Sequence, residues 1–215
     1  MDKDHPILEN IVFDLGGVLL DIDYQRTYDA LAHILGITFD PNHLPADVLQ
    51  VMEDFEKGVI TKETFIWNLQ RKAQGVVPHG YDIIRAWNGM LIGWNPLKFD
   101  FLLQLRAKYK VYLLSNTNEL HLEWVMKDLK KNHNIVDFDH VFFDQTFYSH
   151  IEGFKKPDVN FYHHVTQKAE LKPEATIFID DLWPNIQGAQ EAGWHTYHHD
   201  PKDDLIEIFK YKLNL

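Results

Sequence analysis

No cysteine occurs among the 215 residues, which excludes disulfides, thiolate nucleophiles and zinc–thiolate centres. Positive charge is scarce too: 21 lysines and arginines stand against 32 aspartates and glutamates, for a net charge of -11. Without a basic face, a chain cannot draw nucleic acid through counterion release. A phosphorylated small molecule stays open, given a metal and a few well-placed cations. No apolar run approaches the ~20 residues of a membrane-spanning helix. Met1 to Pro6 has no apolar leader core. The expectation is a soluble, cytoplasmic protein with no nucleic-acid or membrane partner. Neither a Gly-x-Ser-x-Gly elbow nor a Gly-x-x-x-x-Gly-Lys phosphate loop is present.

What is present is an ordinary globular composition, 45% hydrophobic and 25% charged, with room for one domain or a core plus an insertion. The chain is organised around Asn10 to Asp23. Ile11-Val12-Phe13 is too short for a helix and rich in β-formers. It ends in Asp14, and Gly16-Gly17 follow where the chain must turn. A buried strand presents a reactive group in this way, since open α/β sheets bind ligands outside the carboxyl ends of their strands.

From Tyr24 to about Trp94 the pattern predicts helices alone: residues 24–35 capped by Asp23, 45–57, a third capped by Thr61, and 81–91. An α/β rhythm then resumes. Its expected strands are 110–114, 141–143, 176–179 and 194–197, with Pro157 at N1 of one helix and Pro184 opening another. The expected fold is a doubly wound parallel α/β sheet, formed by residues 1–22 and 95–215, with a helical cap inserted at 23–94.

Chemistry-bearing residues fall at the strand ends: Asp14, then Ser115-Asn116-Thr117, then Asp180-Asp181, with Lys156 beginning the helix after the third strand. Right-handed crossovers bring such ends to one edge. Clustered carboxylates repel unless a cation intervenes, and magnesium takes a few carboxylates while leaving room for substrate phosphate. The groups suggest phosphoryl transfer, with carboxylate attack on phosphorus and a lysine to offset charge. Each signal has a bland reading alone, as a turn, a helix cap or a solvated lysine.

In this order, Asp14-Leu15-Gly16-Gly17, Ser115-Asn116-Thr117, Lys156-Pro157 and Asp180-Asp181 resemble the four motifs of the haloacid dehalogenase-like (HAD) superfamily. The insertion after the first motif resembles its type 1 cap, and the chain looks most similar to α-D-glucose-1-phosphate phosphatases. The resemblance implies Asp14 as nucleophile, Lys156 as catalytic lysine, and Ser115, Asn116 and Thr117 with Lys156 as phosphate holders. It implies Mg2+ on Asp14, the Gly16 carbonyl, Asp180 and Asp181. The substrate would be a small phosphorylated metabolite such as glucose 1-phosphate, turned over by a monomer or homodimer.

One departure stands out. HAD phosphatases usually carry a second aspartate two residues after the nucleophile, and here that position is Gly16. Asp21 and Asp23 are the nearest substitute acids. A 2-haloacid dehalogenase and a catalytically weak binding or scaffold protein are the competing expectations. Trp87 and Trp94 are candidate sugar platforms.

Overall fold

The computed structural model describes residues 8–38 and 45–213. Its centre is a five-stranded parallel sheet in the order β5-β4-β1-β6-β7. The strands are β1 (Asn10–Phe13), β4 (Lys110–Ser115), β5 (Gln145–Tyr148), β6 (Thr176–Asp180) and β7 (His195–His198). Period-two alternation gives each face its own core. Ile11, Phe13, Val111, Leu113, Ile177 and Ile179 pack to one side with Phe101, Phe138 and Phe209. Val12, Tyr112, Leu114 and Phe178 pack to the other with Tyr162, Ile186 and Trp194. Helices α5 (Leu97–Arg106), α6 (Glu119–Asn132), α9 (Val159–Lys168) and α10 (Trp183–Glu191) supply the flanking layers.

Four helices leave the sheet after the first strand: α1 (Tyr24–Leu35), α2 (Ala46–Glu56), α3 (Lys62–Gln70) and α4 (Gly80–Trp87). Asp23 accepts the Gln25 N–H and caps α1, and Gly36 ends it with φ 65°. These helices enclose a separate cluster of Leu31, Leu35, Met52, Phe55, Phe65, Ile83 and Trp87, joined by Leu120 of α6. The Phe55 and Phe65 rings stack at 4.3 Å in its centre. Among the described residues no helix is long and apolar enough to cross a membrane.

Three sequence expectations are corrected. The segment from Tyr24 to Trp94 is not wholly helical: β3 (Leu91–Trp94) pairs antiparallel with β2 (Leu20–Ile22). Helix α4 ends at Trp87, and the turn Asn88–Met90 leads into β3. Next, residues 141–143 are not a strand. Phe138 and Phe142 sit one turn apart on the short helix α7 (Phe138–Phe142), and the strand follows at Gln145–Tyr148, with Phe147 and Tyr148 on opposite faces. Last, Pro157 is not N1 of α9. Asp158 caps that helix by accepting the Asn160 N–H, so Lys156 lies in the loop before it.

Candidate active site

Register brings the acids together. β1 pairs with β6 up to Phe13 opposite Ile179, and with β4 up to Phe13 opposite Leu113. Asp14 and Asp180, each one residue further on, are therefore neighbours, and the Asp14 N–H donates to the Ile179 carbonyl at 2.9 Å. Beyond Asp14 the chain turns tightly, closed by Gly17 N–H to Leu20 O at 2.9 Å and Leu20 N–H to Leu15 O at 2.8 Å. The Lys98 ammonium binds the outside of this turn, donating to the Val18 carbonyl at 2.8 Å.

Gly17 is required twice over. Its φ is 75°, a conformation that costs other residues roughly 1–2 kcal/mol, and a Cβ there would lie 2.4 Å from Asp181 Oδ2. Gly16 is different: a Cβ would meet only the Ile22 side chain, nearest at 3.1 Å.

Lys156 is 1% exposed and fully engaged. Its ammonium lies 2.8 Å from Asp14 Oδ1 and 2.7 Å from Asp180 Oδ2, and it donates to the Leu114 carbonyl at 2.9 Å. Burial pulls the lysine pKa down, but Asp14 and Asp180 outweigh it and the net direction is up. Asp180 also accepts two hydrogen bonds from the Asn185 amide, both at 3.0 Å. Burial pushes Asp14 up to about 7, against Lys156 and with help from Asp180 and Asp181. Burial and Asp180 raise Asp181 to about 6.

Asp14, Asp180 and Asp181 each offer a ligand atom, all within 4.8 Å of one another. Three crowded carboxylates, two of them forced toward the protonated form, make a hard all-oxygen donor set that a divalent cation would relieve. The residues fit magnesium.

Ser115 borders the same cavity, and its hydroxyl has no hydrogen-bond partner among the described residues. Asn116 and Thr117 are committed elsewhere. Asn116 brackets the Lys156 backbone, accepting its N–H and donating to its carbonyl, both at 2.9 Å. The Thr117 N–H donates to Ser149 Oγ at 2.9 Å. The Ser149 hydroxyl in turn has two acceptors in reach, Glu56 O at 2.6 Å and Thr117 O at 2.9 Å.

A cavity of about 270 Å³ opens above Asp14 between the sheet edge and α1, α2 and α4. Asp21 and Asp23 do not line it. Asp21 is 3.6 Å from Lys98, and Asp23 caps α1. The acids that do line it, besides Asp14, are Glu53 and Glu56. Trp87 is buried, stacked on His121 at 5.1 Å and donating to Asn118 Oδ1 at 3.2 Å. Trp94 packs on Phe99 and Phe138. Trp94 does not line the cavity, and Trp87 borders it with a ring already stacked on His121.

A family model described as haloacid dehalogenase-like hydrolase matches residues 8–193. The chain belongs to this hydrolase family. It is 28% identical over 213 residues to the D-ribitol-5-phosphate phosphatase of Bacteroides thetaiotaomicron, covering 97% of this chain and all of that one. It is 33% identical over 202 residues to a sesquiterpene phosphatase of Aspergillus oryzae, covering 87% of each. The fold of a HAD family enzyme from B. thetaiotaomicron, crystallised with magnesium and inorganic phosphate, matches with TM-score 0.81 at 33% identity, over 94% of this chain and 99% of that one. Both of these relatives are named as phosphatases.

The HAD motifs give no hint of Asn185, Ser149, Glu53 or His121. Asn185 had a local signal, since a polar residue facing inward in the first turn of α10 is available to the acid pair just before it. The others depend on how the four inserted helices settle on the sheet, which sequence spacing does not encode.

Proposed function

We propose that this chain is a magnesium-dependent phosphatase of small phosphorylated metabolites, most simply sugar or polyol phosphates, with Asp14 as nucleophile. The single observation that carries the reading is the Asp14–Lys156–Asp180 contact with Asp181 beside it. Lys156 holds one Asp14 oxygen and offsets part of the burial that raises its pKa, and the other oxygen is left to attack. The Asp14 oxygen bonds to phosphorus as the ester P–O bond breaks, giving an aspartyl-phosphate and an alkoxide that takes its proton from solvent water. Water then attacks phosphorus and releases a proton to solvent as the P–O bond to Asp14 breaks, and Asp14 leaves as a carboxylate.

Ser115 presents its hydroxyl to a phosphoryl oxygen. Asn116 acts indirectly, by fixing the Lys156 backbone. Asp14, Asp181, the Gly16 carbonyl and Asp180, directly or through water, would hold magnesium. When bound, the ion supplies positive charge against the phosphate and the carboxylates. Residues 23–94 act as a cap over the cavity, and residues 1–22 and 95–215 as the catalytic core. We place the enzyme in the cytoplasm.

Gly16 offers no acid for the leaving oxygen, which favours esters with good leaving groups such as glucose 1-phosphate. The ribitol-5-phosphate relative favours a primary phosphate. Phosphate release from both compounds, with and without magnesium, by wild type and Asp14→Asn tests the reading. The expected result is magnesium-dependent turnover of at least one ester, lost in the variant. Turnover that survives chelation, or survives Asp14→Asn, overturns it.

A further inference from the structure

The cavity carries a charge pattern that phosphoryl transfer does not use. Its roof is α2, where Leu49, Met52, Glu53 and Glu56 line the space; spacings of three and four place them on one helical face. Glu56 is paired with Lys155 at 2.5 Å. Glu53 has no ion pair or side-chain hydrogen bond among the described residues. Tyr24 and Tyr28 stand nearby in the same lining.

Below them, the other lining lysine, Lys156, is held by Asp14 and Asp180. The lining histidine, His121, is buried and kept neutral: burial drives its pKa down to about 4. Both lysines of the lining are thus matched by carboxylates, and Glu53 is left over. Among the described residues, a second phosphate or a carboxylate on the substrate would meet no unpaired cation here and would face acids in a partly desolvated space, where like charges repel strongly. Hydroxyl groups would instead find the Glu53 carboxylate as an acceptor and the Tyr24 phenol beside it.

We propose that Glu53, beside the Glu56–Lys155 pair, selects monophosphate esters whose remainder is an uncharged polyhydroxyl chain or ring, and rejects bisphosphates and phosphorylated acids. This specificity rests on the phosphatase reading above. A site built to hydrogen-bond hydroxyls also discriminates against analogues that lack them, because its own polar groups are then left unpaired.

The test compares kcat/KM for ribitol 5-phosphate, pentyl phosphate and ribitol 1,5-bisphosphate, each relative to p-nitrophenyl phosphate. Wild type is expected to favour ribitol 5-phosphate over pentyl phosphate by at least about tenfold and over the bisphosphate by at least about 100-fold. Glu53→Gln is expected to shrink the first preference at least about fivefold, through KM. Glu53→Lys is expected to shrink the second at least about tenfold. A wild type that treats all three esters within about threefold overturns the proposal without any variant. So do variants that leave both ratios unchanged while p-nitrophenyl phosphate turnover still depends on Asp14. Turnover of p-nitrophenyl phosphate that is absent in wild type, or unchanged in Asp14→Asn, overturns the phosphatase reading itself and this specificity with it.

Discussion

A methyl group on Gly17 would lie 2.4 Å from Asp181 Oδ2, so the turn after Asp14 and the carboxylate of Asp181 are in contact. The first motif and the fourth are shaped against each other across 164 residues of chain (181 − 17).

Gly17→Ala therefore strains the turn and displaces Asp181 together. Disturbing a group that orients a metal ligand typically costs about 10–100-fold in metal affinity. We expect the magnesium concentration for half-maximal phosphatase activity to rise by about that factor, measured by magnesium titration. An unchanged half-saturation would mean that Asp181 is not a ligand.

Lys156→Met removes the cation shared by two buried carboxylates. Breaking one side of a buried ion pair costs about 3–5 kcal/mol. Urea unfolding is expected to show a loss of that order, and activity should vanish. Saturating magnesium should return part of the stability to the variant, because the ion supplies positive charge to the same carboxylates. Equal unfolding midpoints with and without magnesium would argue against that donor set.

His121 predicts a pH dependence of stability. Burial lowers its pKa to about 4, against the Trp87 carbonyl, which raises it, and with His150, which lowers it further. Because the folded value lies below the unfolded value of about 6.5, the unfolded chain binds the extra proton as pH falls from about 6.5 to about 4. Stability therefore drops on acidification through that window and is unaffected by this group above it. Between pH 7 and pH 5 the contribution is about 2 kcal/mol. Unfolding of wild type and His121→Gln at the two pH values measures it; the variant should lose less by about that amount.

Gly16→Asp restores an acid where HAD phosphatases usually have one. Its Cβ meets only the Ile22 side chain, nearest at 3.1 Å, so a small shift of Ile22 admits it. General acid catalysis is worth about 10²–10⁴-fold. The gain should reach at least about tenfold for a primary alkyl phosphate and be small for p-nitrophenyl phosphate, whose leaving group needs no proton. Equal effects on both esters would sink the idea.

Much of the sheet and its reactive edge was legible in the sequence, because strands that end in polar residues are aligned by parallel pairing. Asp14, Ser115 and Asp180 needed only that rule. Phe142-Phe143 was misread because adjacent aromatics suit a strand and a helix face alike; only the partner Phe138, one turn back, decides for helix. Leu91–Trp94 was missed since its pairing partner, Leu20–Ile22, lies about 70 residues away, beyond any local pattern. The motif resemblance puts Asn116 at the phosphate, and its side-chain amide is engaged by the Lys156 backbone, which no local pattern encodes. Side-chain commitments of that kind follow from tertiary approach, not from residue order.

Ser149 has one proton and two acceptors, Glu56 O on the cap side and Thr117 O on the sheet side. The proton can serve only one of them at a time. If α2 lifts away, the hydroxyl rotates to Thr117 and goes on receiving the Thr117 N–H, so no donor is orphaned at the seam. The joint over the active site can part and re-form with little enthalpic penalty from this contact, as a product-releasing enzyme requires.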